Sequence, residues 1–600
     1  MASPTILTRL VLLLSFLLGV FALEHAAPDP NTTKRQVTGF PRVYVADNNV
    51  WVAYSDNNVK QVTTTGTSEN PFENVVYLSP TKKHAVVWQY TPAEDHKITL
   101  IESSPKDQVQ PKRLDLPYLK AGDRVRVDRP RLFDVDAGTE IPTNNTLFEN
   151  PFSMKNVGWS ADGQEYRFLF NGRGHQHQRL IGMQVNSNIR AIVDESSETF
   201  IDWGQKLWFQ LLPDTQELLW ASERDGWNHI YLYNLVNGTV KNRVTQGNWL
   251  VRTVHRVDTV SRRIWFSALG IFPAPRDPYY SYLVRINFDG TGLVILTPEN
   301  GTHNIRFLDN TSFQDTWSRV DQQETKVVRS SERVEIIMTV KAPDPTNPLS
   351  SIVETFAAPG RDGTTPIHGI IVKPTNFDPS KKYPILEEIY AGPQEFSTPK
   401  AYSDLAGFRA WADLGYIVVK LDGMGTNWRS KAFLDVCHKN LADAGFPDRK
   451  AWIKAAASTR PWMDLARVGI MGSSAGGQNA VAALLFHNDF YKAAVADSGC
   501  HDNRMNLGEW SEAWMGWPVG KQYEDSSNVV NAAKLQGSLL LMTGDLDRNV
   551  DPSSTFQLVH ALNEAGKDYE FVFVPGGGHG VGDYPNARRM TEKFLKRSLA

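Results

Sequence analysis

One serine, set among glycines where a strand gives way to a helix, constrains this fold more than any other feature. Gly472-Ser473-Ser474-Ala475-Gly476 follows the apolar run Val468-Gly469-Ile470-Met471 and precedes a helical run from Gln478 to Phe486. Strand, sharp turn and helix around G-x-S-x-G form the pattern of a nucleophile elbow. A turn that tight strains the serine backbone, and a side chain at Gly472 or Gly476 would collide with the neighbouring strand or helix. The register selects Ser474, because with Ser473 as nucleophile Met471 would stand where the first glycine belongs. The competing reading is a Gly/Ser-rich turn without chemistry. Two partners that follow in the required order speak against it.

The chain of 600 residues is long enough for two or more domains. Between about residues 40 and 348, short strand-like runs are broken by Asn, Asp and Gly. Val157 to Gly163 is followed by Tyr166 to Phe170, Leu218 to Ser222 by Asn228 to Asn234, and Arg263 to Ser267 by Tyr282 to Ile286. The unit of strand, loop, strand and turn recurs at a spacing of roughly 45 to 60 residues, which predicts an all-β propeller over 40–348 in preference to a β-sandwich. A Pro-rich linker, Ala342 to Pro348, follows. From 352 to 600 the rhythm changes. Apolar strands (Ile385 to Tyr390, Tyr416 to Leu421, Val468 to Met471, Ala493 to Asp497, Leu539 to Thr543, Phe571 to Val574) alternate with helical stretches (Leu405 to Leu414, Ala451 to Ala457, Gln478 to Phe486, Thr555 to Ala565, Ala587 to Leu595). This predicts a mostly parallel sheet with helices on both faces, the α/β-hydrolase fold.

Arg9 and the apolar run Leu10 to Phe21, ending in Val20-Phe21-Ala22, give a secretory signal peptide over 1–22. A membrane anchor needs about 20 apolar residues, and this run is shorter. Lys34-Arg35 offers either a dibasic processing site or a solvated charge pair. Five sequons, at Asn31, Asn144, Asn237, Asn300 and Asn310, are candidate glycosylation sites that fit a secreted, extracellular protein. Two cysteines, Cys437 and Cys500, exclude a disulfide framework and leave one bridge or two buried thiols open. A net charge of −3 without basic runs argues against a nucleic-acid partner.

A serine hydroxyl needs a base within hydrogen-bond reach, and the base needs an orienting acid. In an α/β hydrolase they follow in the order Ser, Asp, His on loops after later strands. The strand ending at Thr543 runs into Gly544-Asp545-Leu546-Asp547-Arg548-Asn549-Val550-Asp551, where Asp547 is the first choice of acid and Asp545 the second. A turn aspartate that only caps backbone amides is the alternative for each. The last strand leads into Pro575-Gly576-Gly577-Gly578-His579-Gly580, whose histidine has little packing reason to sit there, so His579 is the base. His438, His487, His501 and His560 do not follow that strand. The Ala475 N–H is one oxyanion donor, and the phenol of Tyr390 in Tyr390-Ala391-Gly392-Pro393 is a candidate for a second, against the commoner reading of a strand-end tyrosine as packing. No metal-ligand cluster is recognised, and no cofactor is expected.

Taken together, Tyr390-Ala391-Gly392-Pro393, the elbow ending Gly476-Gly477, Gly544-x-x-Asp547-x-Asn549-Val550 and His579-Gly580 resemble the prolyl oligopeptidase family of serine peptidases, in its dipeptidyl peptidase IV-like branch. Ser222 to Tyr231 resembles a blade signature of that branch. The resemblance implies a triad of Ser474, Asp547 and His579, an oxyanion tyrosine at Tyr390, a substrate-carbonyl contact at Asn549, and S1-pocket walls at Val550 and Trp510. Trp514 reads equally well as core. The branch's paired glutamates in an Asp-Trp-x-Tyr-Glu-Glu segment are missing, and Asp194-Glu195 and Glu198 read as a solvated loop. Ala475 stands where the branch has a tyrosine, and Asn506 falls where it has an S1 aromatic. The shorter propeller half implies reduced first blades.

The expectation is a secreted exopeptidase that releases dipeptides, X-Pro or X-Ala, from short peptide substrates through an acyl-enzyme. The resemblance leaves a homodimer open. The alternatives are an endo-acting oligopeptidase or acylaminoacyl peptidase, an esterase on fold grounds alone, and a non-catalytic propeller binding protein.

Overall fold

The computed structural model describes residues 39–342 and 352–600. The signal segment, Lys34-Arg35, the sequon at Asn31 and most of the Pro-rich linker lie outside the described residues. The chain forms two compact units. One holds the described residues up to Ala93 together with Val125–Glu217 and Leu235–Thr239. The other holds Glu94–Arg124, Leu218–Asn234 and Val240–Ala600.

The first unit is built of antiparallel sheets. A three-stranded sheet (Arg42–Ala46, Asn49–Ser55, Asn58–Gln61) precedes two four-stranded ones, Phe72–Leu78, His84–Thr91, Val127–Asp134, Thr139–Ile141 and Pro151–Trp159, Glu165–Gly172, His177–Gln184, Ile189–Ser196. Asp47 and Asn48 both take positive φ (49° and 62°), as a two-residue hairpin requires, and they belong to the residue types that tolerate it. Strand Glu165–Gly172 is buried throughout. Its charged side chains are paired, with Glu165 2.8 Å from Arg167 and 2.7 Å from Arg190. Asp194 and Glu195 lie within strand Ile189–Ser196, where Asp194 pairs with Arg179.

The second unit contains two further four-stranded antiparallel sheets, Leu250–Asp258 to Val294–Ile295 and Thr302–Phe307 to Ile336–Lys341. Such successive meanders are propeller blades. It also contains a hairpin, Lys97–Glu102 with Lys112–Pro117, which the chain forms between two adjacent strands of a first-unit sheet. Nothing in the periodicity of the sequence announces this insertion.

From Val353 an eight-stranded sheet begins: β1 Val353–Pro359, β2 Pro366–Val372, β3 Tyr383–Glu388, β4 Ile417–Leu421, β5 Met463–Ser473, β6 Ala493–Asp497, β7 Ser538–Gly544 and β8 Glu570–Val574. The spatial order is β1-β2-β4-β3-β5-β6-β7-β8, with β3 to β8 parallel. The predicted strands and helices are present with shifted ends: α1 Ala406–Ala412, α2 Phe446–Ser458, α3 Ala475–Phe486, α4 Ser553–Glu564 and α5 Pro585–Ser598. α2 starts five residues before the expected Ala451 because Pro447 is tolerated in a first turn, where its missing N–H costs nothing. The hairpin of β1 and β2 was not anticipated.

β4 and β6 are buried along their whole length, as strands covered on both faces must be. One face packs Trp452, Ile453 and the Ala- and Leu-rich α3; the other packs Phe408, Trp411, Phe594 and Leu595. A fully buried charged pair in this core, Arg449 with Glu387 at 2.7 Å, is joined by a hydrogen bond from the Tyr491 hydroxyl to Glu387 at 2.6 Å. Cys437 and Cys500 are both buried thiols. Among the described residues no helix is long and apolar enough to cross a membrane.

Candidate active site

Every residue singled out for chemistry leaves the sheet at the carboxyl ends of its parallel strands, the edge where such sheets build sites. Tyr390 follows β3, Ser474 follows β5, Asp547 follows β7 and His579 follows β8.

Ser474 sits between β5 and α3 at φ 61° and ψ −124°, a conformation that a serine adopts only when its surroundings impose it. The glycines explain how. A Cβ at Gly472 would lie 2.5 Å from Gly476 O and 2.6 Å from Ile389 O, and one at Gly476 would lie 2.3 Å from Ile389 O. The Ser474 N–H donates to Asp497 O at 2.9 Å. Ala475 opens α3, so its N–H has no carbonyl partner within the helix and is available to a ligand.

The structure pairs His579 with Asp547 and not with Asp545. His579 Nδ1 lies 2.7 Å from Asp547 Oδ2, and Asp547 is fully buried. An ionised carboxylate only accepts, so Nδ1 carries the proton and Nε2 is left as the basic nitrogen. Asp547 Oδ1 also accepts from the N–H groups of Asn549 and Val550, both at 2.9 Å. Asp545 instead braces the loops, accepting from Gly576 N at 2.6 Å and from Ser103 N at 2.9 Å. Burial alone would lower the imidazole pKa; the hydrogen bond and charge of Asp547, helped by the charge of Asp497, outweigh it and hold the value above the ordinary one.

Asp497 and Ser498, which sequence reasoning passed over, tie the His579 loop to the Ser474 elbow. At the end of β6, Asp497 accepts from Val581 N at 3.0 Å, Gly582 N at 2.9 Å, Ser498 Oγ at 3.0 Å and Ser473 Oγ at 3.4 Å. Ser498 Oγ accepts from Gly580 N at 3.1 Å. The histidine loop and the elbow therefore hang on the same two residues. Among the described residues no hydrogen bond joins Ser474 Oγ to the imidazole; the Ser474 side chain interacts with the Tyr390 phenol. Catalytic hydrogen bonds commonly tighten only when substrate arrives. Burial pushes the Tyr390 phenol upward, and hydrogen bonds with Gln394 and Ser474 offset part of that.

Of the predicted pocket residues, Val550 is buried and Asn549 partly so, both on the Asp547 loop. Trp510 lies on the short helix Gly508–Met515, where its indole N–H donates to Gln394. Trp514 is buried in that helix, which favours its core reading. The inserted hairpin supplies neighbours that no motif signalled. Tyr118 Oη donates to Asn549 O at 2.7 Å, with Asn506 Oδ1 3.3 Å away, and Lys120 Nζ lies 3.2 Å from Asp551 Oδ2. Asn144, Asn237, Asn300 and Asn310 are all exposed.

Two groups of metal-ligand type that the sequence did not reveal also occur. Glu94, His96 and Asp123 lie together at the base of the hairpin, and Glu299, His303 and Asp315 in a blade. In the second group Arg329 already supplies the positive charge, 2.8 Å from both Asp315 and Glu299.

Residues 403–599 match the model of the prolyl oligopeptidase family, and residues 37–324 that of the dipeptidyl peptidase IV N-terminal region. The catalytic half of the chain is a prolyl oligopeptidase family domain. Among related sequences, dipeptidyl-aminopeptidase B of Aspergillus niger is 26% identical over 406 residues, covering 62% of this chain and 42% of that protein. Human dipeptidyl peptidase 8 is 31% identical over 235 residues, covering 38% and 26%. The chain thus spans less than half the length of these relatives. The family fold is shared with dipeptidyl peptidase 4 of Porphyromonas gingivalis, at a TM-score of 0.73 and 23% identity over 93% of this chain and 81% of that one.

Proposed function

We propose that this family member is a serine exopeptidase that releases dipeptides, of X-Pro or X-Ala type, from the N-termini of short peptides. The observation that carries the reading is the His579–Asp547 pair at 2.7 Å, on a loop tied through Asp497 and Ser498 to the strained Ser474 elbow. Ser474 Oγ attacks the scissile carbonyl carbon while His579 Nε2 takes its proton. The Ala475 N–H and the Tyr390 O–H receive the charge that develops on the carbonyl oxygen. The intermediate collapses, His579 passes its proton to the leaving amine, and water then releases the acyl group by the same route. Asn549 is assigned to a substrate carbonyl, and Val550 and Trp510 to the S1 walls. The names of the relatives and the match to a dipeptidyl peptidase IV N-terminal region support the dipeptide unit.

One observation favours a second reading: no Asp-Trp-x-Tyr-Glu-Glu segment occurs in the chain to grip a free amine. Cleavage of one X-Pro peptide in free and N-acetylated form decides between them. A dipeptidyl peptidase cleaves only the free form; turnover of the acetylated form assigns an acylaminoacyl or endo-acting peptidase. We also propose secretion, from the N-terminal segment and the exposed sequons. A mobility shift of the secreted product on treatment with a glycosidase tests it.

A further inference from the structure

Tyr390 can serve an oxyanion only if its single hydroxyl proton points at the substrate. A phenol does not guarantee this, since the O–H rotates to whichever acceptor is nearest. Two side chains meet the Tyr390 hydroxyl, Ser474 at the reacting centre and Gln394 behind it, and the direction of the Gln394 bond is fixed by its own neighbours. Gln394 Nε2 lies 2.7 Å from Tyr390 Oη, and Gln394 Oε1 lies 3.3 Å from Trp510 Nε1. An indole N–H donates and never accepts, so the oxygen of the Gln394 amide must face Trp510. The NH2 end then faces Tyr390. An NH2 group only donates, so the phenolic oxygen must accept from it, and the phenolic proton is excluded from that direction.

The loop is shaped for this arrangement. A Cβ at Gly392 would lie 2.6 Å and 2.9 Å from the two polar atoms of the Gln394 amide and 2.8 Å from Tyr390 Cε1. Gly392 therefore clears the space in which the amide folds back onto the tyrosine. The backbone on either side is fixed as well: the Ala391 N–H donates to Asn479 Oδ1 at 3.0 Å, and Ser397 Oγ donates to Tyr390 O at 2.9 Å.

We infer that Gln394 is a positioning residue that orients the Tyr390 hydroxyl toward the reacting carbonyl oxygen, with Trp510 locking the amide in the orientation this requires. The inference rests on the proposed role of Tyr390 as an oxyanion donor. Trp510 thereby has a task beyond lining a pocket, and Gly392 is required by Gln394 more than by the turn itself.

The test is a double-mutant cycle on the full chain with Gln394→Glu and Tyr390→Phe, measured on glycyl-prolyl p-nitroanilide and on a p-nitrophenyl ester, whose acylation passes through the same oxyanion. A carboxylate at 394 still accepts from Trp510 but also accepts the phenolic proton and turns it away from the substrate. Gln394→Glu is expected to lower kcat about 10- to 100-fold with KM little changed, approaching the loss in Tyr390→Phe. In the Tyr390→Phe background it is expected to cost nothing further. Gln394→Met, which keeps the size and removes the donor, is expected to give a smaller loss that also vanishes in that background, and it serves if the glutamate variant fails to fold. Wild-type kcat in both 394 variants, or an equal loss with and without the tyrosine hydroxyl, overturns the inference. If Tyr390→Phe itself retains wild-type kcat, the oxyanion role falls and the inference with it. Failure of the wild type to cleave the amide while it turns over the ester overturns the proposed peptidase function and leaves the cycle readable.

Discussion

Replacing Asp497 by asparagine separates two contributions that this residue makes to His579. The first is mechanical. Its carboxylate accepts from Val581 N and Gly582 N, at 3.0 and 2.9 Å, and an amide retains only one oxygen for two N–H groups. A hydrogen bond to a charged group contributes about 1.5–3 kcal/mol, so losing one shifts the equilibrium between held and displaced loop by roughly ten- to a hundredfold. The second is electrostatic. Two carboxylates act on the imidazole, Asp547 by contact and Asp497 through its charge, and together they keep its pKa raised despite burial. Only the neutral ring can act as base. A raised value means that activity is lost as pH falls through a point above the ordinary imidazole pKa, and removing one charge moves that point down. The variant should therefore show kcat/KM reduced on its plateau by roughly ten- to a hundredfold, with its acid limb displaced to lower pH. The assay is kcat/KM for a chromogenic dipeptide amide from about pH 5 to about pH 9, with thermal melting alongside. A folded Asp497→Asn enzyme with the wild-type plateau and an unmoved acid limb would refute the reasoning.

Other expectations are more direct. Ser474→Ala should reduce turnover to the residual that binding and the oxyanion hole supply, and a fluorophosphonate should label Ser474 in the wild type and no other serine. Tyr390→Phe should lower kcat by about 10²- to 10³-fold if its hydroxyl is an oxyanion donor; an unchanged kcat would assign the ring to packing. Gly476→Ala places a methyl group 2.3 Å from the Ile389 carbonyl oxygen, where backbone must give way. It should cost about 1–3 kcal/mol or more, read as a lowered melting temperature and lost labelling. Tyr118→Phe removes the hydrogen bond to Asn549 O, worth about 0.5–1.5 kcal/mol, and should raise KM severalfold at constant kcat.

The chemistry was legible because it is written in residue types that only one backbone shape explains. G-x-S-x-G demands the elbow, and a histidine in a glycine loop after the last strand has little else to do. The sequence ranks Asp547 ahead of Asp545, but the physical reason is not written there. Both sit in the same turn, and the fold turns one toward the imidazole while the other ties Gly576 to Ser103. Asp497 and Ser498 were missed for a similar reason. An aspartate and a serine at a strand end are ordinary turn formers, and their partners lie more than 80 residues away along the chain. Gln394 carries no motif of its own; its meaning depends on an indole 116 residues later. The helix Phe446–Ser458 begins before the expected Ala451 because Pro447 fits a first turn, where apolar periodicity gives no signal.

The inserted hairpin shows how such distant contacts distribute control over the site. Its polar contacts with the acid-bearing loop are the Ser103 N–H to Asp545, the Tyr118 hydroxyl to Asn549 O and the Lys120–Asp551 pair, and Leu546 of that loop packs against Ile98, Leu100 and Tyr118. Asp547 itself is not among them. Its carboxylate is held from within the loop by the N–H groups of Asn549 and Val550 and from outside by His579. A disturbance of the hairpin should therefore reach Asn549 and Asp551 first and leave the acid–base pair in place. This is why Tyr118→Phe should act on KM rather than kcat, and why it differs in kind from Asp497→Asn, which acts on the base. If both variants lowered kcat alike, with KM unchanged, the hairpin would have to be assigned to holding the triad, and the division of labour between the two supports would be wrong.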